Sequence, residues 1–135
     1  MGIVAFSRMS ALVIEDQAFI RGVVIKILKQ LEFGGIMEAE EGSVGLEMAL
    51  DRHPDIIICD IEMAPMDGLT FLRELRRKEE VGLRTPVVFL TNHADKDTVL
   101  KARDLGVNAF VAKPVTVAAL REKLTILLQR RLSAV

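Results

Sequence analysis

Ile56-Ile57-Ile58-Cys59-Asp60-Ile61-Glu62-Met63-Ala64-Pro65-Met66-Asp67-Gly68 joins a short aliphatic run to a loop crowded with turn-forming residues. Four consecutive apolar residues bounded by such punctuation predict a strand buried on both faces. Asp60 then stands at the tip of that strand, where a carboxylate is costly to desolvate unless a cation or donors meet it. The same arrangement recurs along the chain. Residues 11–14 (Ala-Leu-Val-Ile) run into Glu15-Asp16, residues 87–90 (Val-Val-Phe-Leu) into Thr91, and residues 109–112 (Ala-Phe-Val-Ala) into Lys113-Pro114.

Helical periodicity fills the intervals. Phe19, Ile20, Val23, Val24, Ile27, Leu28 and Leu31 share one helical face, and Gly34-Gly35 stops that helix. Residues 36–39 predict a weak strand whose Glu38 and neighbouring Glu40 suggest a sheet edge, and residues 43–52 predict a second helix closed by His53-Pro54. A third helix carries Leu69, Leu72 and Leu75, with Arg73, Arg76, Arg77 and Lys78 read as a solvated basic face. A fourth is expected over 96–105, ending at Gly106. A fifth begins after Thr116, a suitable N-cap, with Leu120, Leu124, Leu127 and Leu128 on one side. Strict strand–helix alternation implies a doubly wound α/β fold: five parallel strands, helices on both faces, right-handed crossovers. All strand C-termini then lie on one edge, where open α/β sheets place their ligands.

With 135 residues the chain suits one domain, expected over 11–132 with tails at 1–10 and 133–135 and no output domain within it. Half the residues are hydrophobic, 27% are charged and the net charge is −1. This is a globular composition with no bulk attraction to nucleic acid or anionic membrane, so neither partner is expected. Cys59 is the only cysteine and lies inside an aliphatic run, where a buried inert thiol is expected. No apolar run approaches the roughly 20 residues needed to span a bilayer. The N-terminus lacks a basic leader. A cytoplasmic location is expected.

Glu15, Asp16, Asp60, Thr91 and Lys113 all fall at strand C-termini. Three carboxylates gathered there would repel one another, and a hard divalent cation such as Mg²⁺ relieves that repulsion. Asp60 is then placed to act as a nucleophile and form an acyl phosphate. Lys113 would neutralise charge on the transferring group, and the Thr91 hydroxyl would donate to one of its oxygens.

This ordered set resembles the CheY-like receiver domain of two-component response regulators, over nearly the whole chain. It rests on Glu15-Asp16, on Asp60 before Met63-x-x-Met66-Asp67-Gly68, on Thr91, and on Lys113-Pro114. The resemblance implies strand order 2-1-3-4-5, a cis Lys113-Pro114 bond, and phosphorylation of Asp60 by a sensor histidine kinase or histidine phosphotransfer protein. It also implies a metal set of Glu15, Asp16, Asp60 and the backbone carbonyl of Glu62. Thr91 and Phe110 would form the switch, and helix four, strand five and helix five would meet an effector or output domain. A homodimer stays open. Catalysis would be confined to the protein's own phosphorylation and dephosphorylation.

Two departures from the family pattern stand out. Ala64 precedes Pro65, where proline usually follows the first loop methionine directly, so the loop path is expected to differ slightly. Asn92 replaces the usual small residue, and with Glu62 and His93 it is a candidate for tuning the acyl-phosphate lifetime. Taken singly, several of these residues have plainer readings: Glu15-Asp16 as a helix cap, Phe110 as core, His93 as a solvated loop residue. Three other functions compete. One is a receiver-like interaction module that works without phosphorylation. Another is a haloacid-dehalogenase-like phosphatase, disfavoured because Glu62 stands where that class wants a second aspartate. The third is a flavodoxin-like redox protein, disfavoured by the lack of a phosphate-cradling loop after strand one.

Overall fold

The computed structural model describes residues 5–80, 84–92 and 95–133, with side chains as far as residue 130. Among these, five strands, β1 (Ser10–Ile14), β2 (Gly35–Ala39), β3 (Ile56–Asp60), β4 (Val87–Thr91) and β5 (Ala109–Ala112), form one parallel sheet in the order β2-β1-β3-β4-β5. Helices α1 (Ala18–Gln30), α2 (Gly42–Arg52), α3 (Gly68–Lys78), α4 (Lys96–Asp104) and α5 (Val117–Ser133) alternate with them. This is the doubly wound architecture expected from the alternation, with strand order as implied.

The period-two alternation of side chains divides each buried strand between two cores. Ala11, Val13, Ile56, Ile58, Val88 and Leu90 point to one face, where α1 and α5 contribute Val24, Leu28, Leu120 and Leu124. Leu12, Ile14, Ile57, Cys59, Val87 and Phe89 point to the other, against Phe71, Leu72 and Leu75 of α3 and Ala102 of α4. Every residue of β3 and β4 is buried, which is why those runs are apolar up to the polar residue that ends each, Asp60 and Thr91. Helix α2 approaches β1 through a glycine: a Cβ on Gly45 would lie 2.4 Å from Cδ1 of Ile14.

Local chemistry sets the helix ends. Asp67 and Asp95 cap α3 and α4 by accepting from the backbone N–H of Thr70 and Thr98, each at 2.8 Å. Thr116 accepts from the N–H of Ala119 at 3.1 Å, as its position suggested. His53 adopts a left-handed conformation (φ 49°) after α2, just before Pro54.

Residues 5–9, within the segment expected as an N-terminal tail, pack on the domain: Phe6 stacks on Phe33 with ring centroids 4.8 Å apart, and its carbonyl accepts from the N–H of Gly34 at 3.0 Å. Three expectations change. Strand β1 starts at Ser10, one residue earlier than expected. Phe19 is 82% exposed although it belongs to the apolar run of α1, because it sits in the first turn, beside the loops that follow β4 and β5.

Arg76 is the third. Its side chain is only 7% exposed and does not belong to a solvated face. It donates to Glu79 Oε1 at 2.7 Å, to the carbonyl of Thr85 at 2.8 Å, and from two nitrogens to the carbonyl of Gly106 at 3.2 and 2.8 Å. It also reaches Oδ1 of Asn108 at 3.0 Å. Gly106 supports this contact with φ +93°, a conformation that L side chains rarely adopt. The guanidinium thus ties the end of α3 to the entrance of β4 and to the α4–β5 turn. Truncating it would strand the buried Glu79 carboxylate. Arg76→Met is expected to lower stability by about 3 kcal/mol or more in urea denaturation. Arg77→Met, on a side chain 72% exposed, should change it by less than about 1 kcal/mol.

Candidate functional site

The parallel sheet delivers Glu15, Asp60, Thr91 and Lys113 to one edge, because each follows or ends a neighbouring strand. The neighbours are in register: Ile14 pairs with Cys59, Asp60 with Leu90, and Thr91 with Ala112. The carbonyl of Thr91 accepts from the N–H of Lys113 at 2.9 Å, so the β4–β5 pairing extends as far as these two candidate residues.

Lys113 is the centre of the arrangement. Its Nζ lies 3.0 Å from Oδ1 of Asp60 and 3.1 Å from Oε1 of Glu15. Glu15 is fully buried, and Asp60 and Thr91 are 4% and 8% exposed, so these polar groups sit below the surface. Carboxylate oxygens of Glu15, Asp16 and Asp60 all lie within 4.8 Å of one another, with Asp16 on the solvent side. Lys113-Pro114 is cis, as implied, and so is Ala64-Pro65 in the loop after β3. Gly68 lets α3 start against the phosphoacceptor candidate. A Cβ there would lie 2.5 Å from the carbonyl oxygen of Asp60, while the N–H of Gly68 donates to the Ile61 carbonyl at 2.8 Å.

The electrostatics follow from crowding. Burial, then the hydrogen bond and repulsion from Asp60, push Glu15 up from 4.5 to about 7, and Lys113 only partly offsets them. Burial pulls Lys113 down, but its hydrogen bond and attraction to Asp60, then to Glu15, outweigh that and hold it above the ordinary lysine value. One ammonium is shared between two acids with a third, Asp16, close by, which leaves a surplus of negative charge. The donor set fits a hard divalent cation: every candidate ligand is an oxygen, and the one nearby thiol is unsuited. That thiol, Cys59, points to the Asp60 carbonyl at 3.2 Å, and burial followed by repulsion from Asp60 raises it well above its usual range.

The other expected residues are dispersed. Glu62 is exposed on the loop after β3. Asn92 is exposed and lines a pocket of about 300 Å³ with Phe19, Ile20, Val23, Lys113 and Val115. Phe110 is half-buried, its ring 6.2 Å from that of Phe89 and tilted by 55°. His93 lies outside the described residues. Glu15 and Asp16 do not cap α1, whose N-cap, Gln17, makes no side-chain capping bond either. Two residues near the edge carried no motif signal. Phe19 read as core, and Arg21, which donates to the Glu15 carbonyl at 2.8 Å, only interrupts an apolar helical face.

Because the folded protein binds the Glu15 proton more tightly than the unfolded chain does, the metal-free protein gains stability from it at low pH. That contribution is complete below about 4.5 and is lost as the pH rises through about 7. Thermal melts of metal-free protein should show Tm falling over that interval. Glu15→Gln, which cannot ionise, should flatten the dependence.

Comparison with known proteins gives a consistent picture. The response regulator receiver domain family matches residues 11–125. The chain is 32% identical over 122 residues to chemotaxis protein CheY-3 of Vibrio cholerae serotype O1, covering 90% of this chain and 93% of that protein. It is 31% identical to chemotaxis protein CheY of Pseudomonas aeruginosa, covering 90% and 98%. Among solved structures, a DNA-binding response regulator of the LuxR family from Staphylococcus aureus superposes with a TM-score of 0.80. That match has 26% identity and covers 89% of this chain and 98% of the other.

Proposed function

The chain belongs to the response regulator receiver domain family, and from that premise we propose that it is a phosphorylation-dependent signalling switch with Asp60 as phosphoacceptor. Family membership itself supports a role in phosphorylation-based two-component signalling. The observation that carries the finer reading is the Lys113 ammonium held 3.0 Å from Asp60 and 3.1 Å from Glu15 in a buried acidic cluster.

In this reading the Asp60 carboxylate attacks the phosphorus of a phosphohistidine on a sensor kinase or phosphotransfer protein. The new P–O bond forms as the P–N bond breaks, and the electron pair of that bond returns to the donor imidazole. Lys113, already beside Asp60, offsets charge on the incoming group without having to move far. The Thr91 hydroxyl, one strand away, donates to a phosphoryl oxygen. Bound by Glu15, Asp16, Asp60 and the Glu62 carbonyl, Mg²⁺ would supply further charge neutralisation. No second substrate is turned over; Glu62 and Asn92, exposed beside the edge, modulate hydrolysis of the acyl phosphate.

The output surface in this proposal is α4–β5–α5. Its support is a pocket of about 290 Å³ formed by Arg103, Val107, Asn108, Ala109, Phe110 and Lys123. Phe110 is only half-buried and so has room to turn as Thr91 engages the phosphoryl group. The result is a shift between two pre-existing populations. A phosphohistidine donor and a single buried thiol both suit a cytoplasmic setting. Among the described residues no helix is long and apolar enough to cross a membrane.

Intact-mass spectrometry after incubation with acetyl phosphate and Mg²⁺ tests the proposal. One phosphoryl adduct is expected, absent in Asp60→Ala and absent without Mg²⁺. No adduct, together with no binding of beryllofluoride, would favour an interaction module that works without phosphorylation. The exposed ring of Phe19, next to Lys113 in the same pocket, suits a protein donor docking over the site. Phe19→Ala should slow transfer from a phosphohistidine protein about tenfold or more, the loss of roughly 1.4 kcal/mol of contact. Labelling by acetyl phosphate should be unchanged in that variant.

A further inference from the structure

Of the three charged side chains of α1, Lys26 and Lys29 are exposed, whereas Arg21 is nearly buried, at 12% exposure. Its Nη1 donates to the backbone carbonyl of Glu15 at 2.8 Å, and its Nε to Oε1 of Glu38 on β2 at 2.9 Å. The Glu15 carbonyl is one end of the peptide whose other end is the nitrogen of Asp16. The amide of Glu15 is held too, donating to the carbonyl of Ala39 at 3.1 Å. Both sides of Glu15 are therefore fastened, one to β2 and one to a guanidinium that β2 also holds. Helix α1 supplies no side-chain cap of its own, and the contact within the turn from the N–H of Gln17 to Glu15 Oε2 is long, at 3.5 Å.

We infer that Arg21 is a positioning residue for the cation site: clamped by Glu38, it fixes the Glu15–Asp16 peptide plane and so aims the exposed Asp16 carboxylate at the cluster. The inference rests on the reading of Glu15, Asp16 and Asp60 as the Mg²⁺ site. Two anchored nitrogens set the orientation of the planar guanidinium, which a single point charge cannot do. Of the three acids, Asp16 is the one that needs such support. Asp60 is set by a central strand and Glu15 by burial and Lys113, whereas Asp16 lies in the turn at the solvent boundary.

The sign of the effect separates positioning from simple electrostatics. A positive charge near three carboxylates weakens cation binding by Coulomb repulsion, so removing it should tighten Mg²⁺ binding. Positioning makes the opposite demand. Groups that orient metal ligands typically cost about 10- to 100-fold in affinity when removed.

The test is calorimetric titration of the full chain with MgCl₂ at fixed ionic strength, without phosphodonor. Wild type, Arg21→Met, Arg21→Lys and Asp16→Asn would be compared, with thermal melts alongside. Wild type should bind Mg²⁺ and Asp16→Asn should not, which locates the signal at this site. Arg21→Met should raise the dissociation constant about tenfold. Arg21→Lys, which keeps the charge but loses the fork, should raise it by a smaller factor. Equal or tighter binding by Arg21→Met against a wild type that binds would overturn the role of Arg21 alone. If Arg21→Met does not fold, unchanged affinity in Arg21→Lys overturns it. No Mg²⁺ uptake by wild type would overturn the metal site, and the positioning role with it.

Discussion

The Lys113 ammonium stands between Asp60 and Glu15 at 3.0 and 3.1 Å, and much of the surrounding structure can be understood as what is needed to keep it there. Isolated carboxylates of this burial would be forced neutral or out into water. One shared cation makes the cluster tolerable without satisfying it, because Glu15 is still pushed up to about 7. The residual strain is electrostatic and has a direction: it favours anything that brings positive charge to this edge. The edge therefore combines a buried strand-end carboxylate with a surplus of negative charge, an arrangement suited to binding cations.

The sheet turns this local chemistry into a precise arrangement. Central strands that are buried along their whole length cannot slip in register without moving every side chain to the wrong face. Asp60, Thr91 and Lys113 are thus spaced by the ladder and not by loop conformation. The loops add finer control. Gly68 lets α3 begin where a Cβ would lie only 2.5 Å from the Asp60 carbonyl oxygen, and Arg21 grips the Glu15 carbonyl from the other side. At the opposite end of the sheet Arg76 plays a related part for the α4–β5 turn, which leads into Phe110.

The fold was largely legible from periodicity, since strand runs such as 56–59 and 87–90 are apolar at every position because both faces are covered. The acids and the lysine at the strand tips were legible for the same reason: a charge ending a buried run is conspicuous. Phe19 and Arg76 were misread because composition on a helical wheel does not say where the helix ends relative to the sheet, or what lies across from it. Phe19 has the right period but overhangs the edge. Arg76 looks like its exposed neighbour Arg77, and partners that helical period does not reveal, among them the carbonyls of Thr85 and Gly106 and the side chain of Asn108, distinguish them.

By itself the sequence determined the element order, the doubly wound class and the set of polar residues at one edge, because hydrophobic period and strand-end charge are local properties of the chain. The tertiary structure decided which of those groups touch. It placed Lys113 within reach of two acids, left Asp16 at the solvent boundary, and recruited Arg21 and Glu38 to hold the turn between them. Those contacts join residues brought together by the parallel pairing of β1 with β2 and β3, and of β3, β4 and β5 across the sheet. A pairwise distance of 3 Å between a lysine and a glutamate far apart in sequence depends on the whole sheet at once, so no local pattern could encode it.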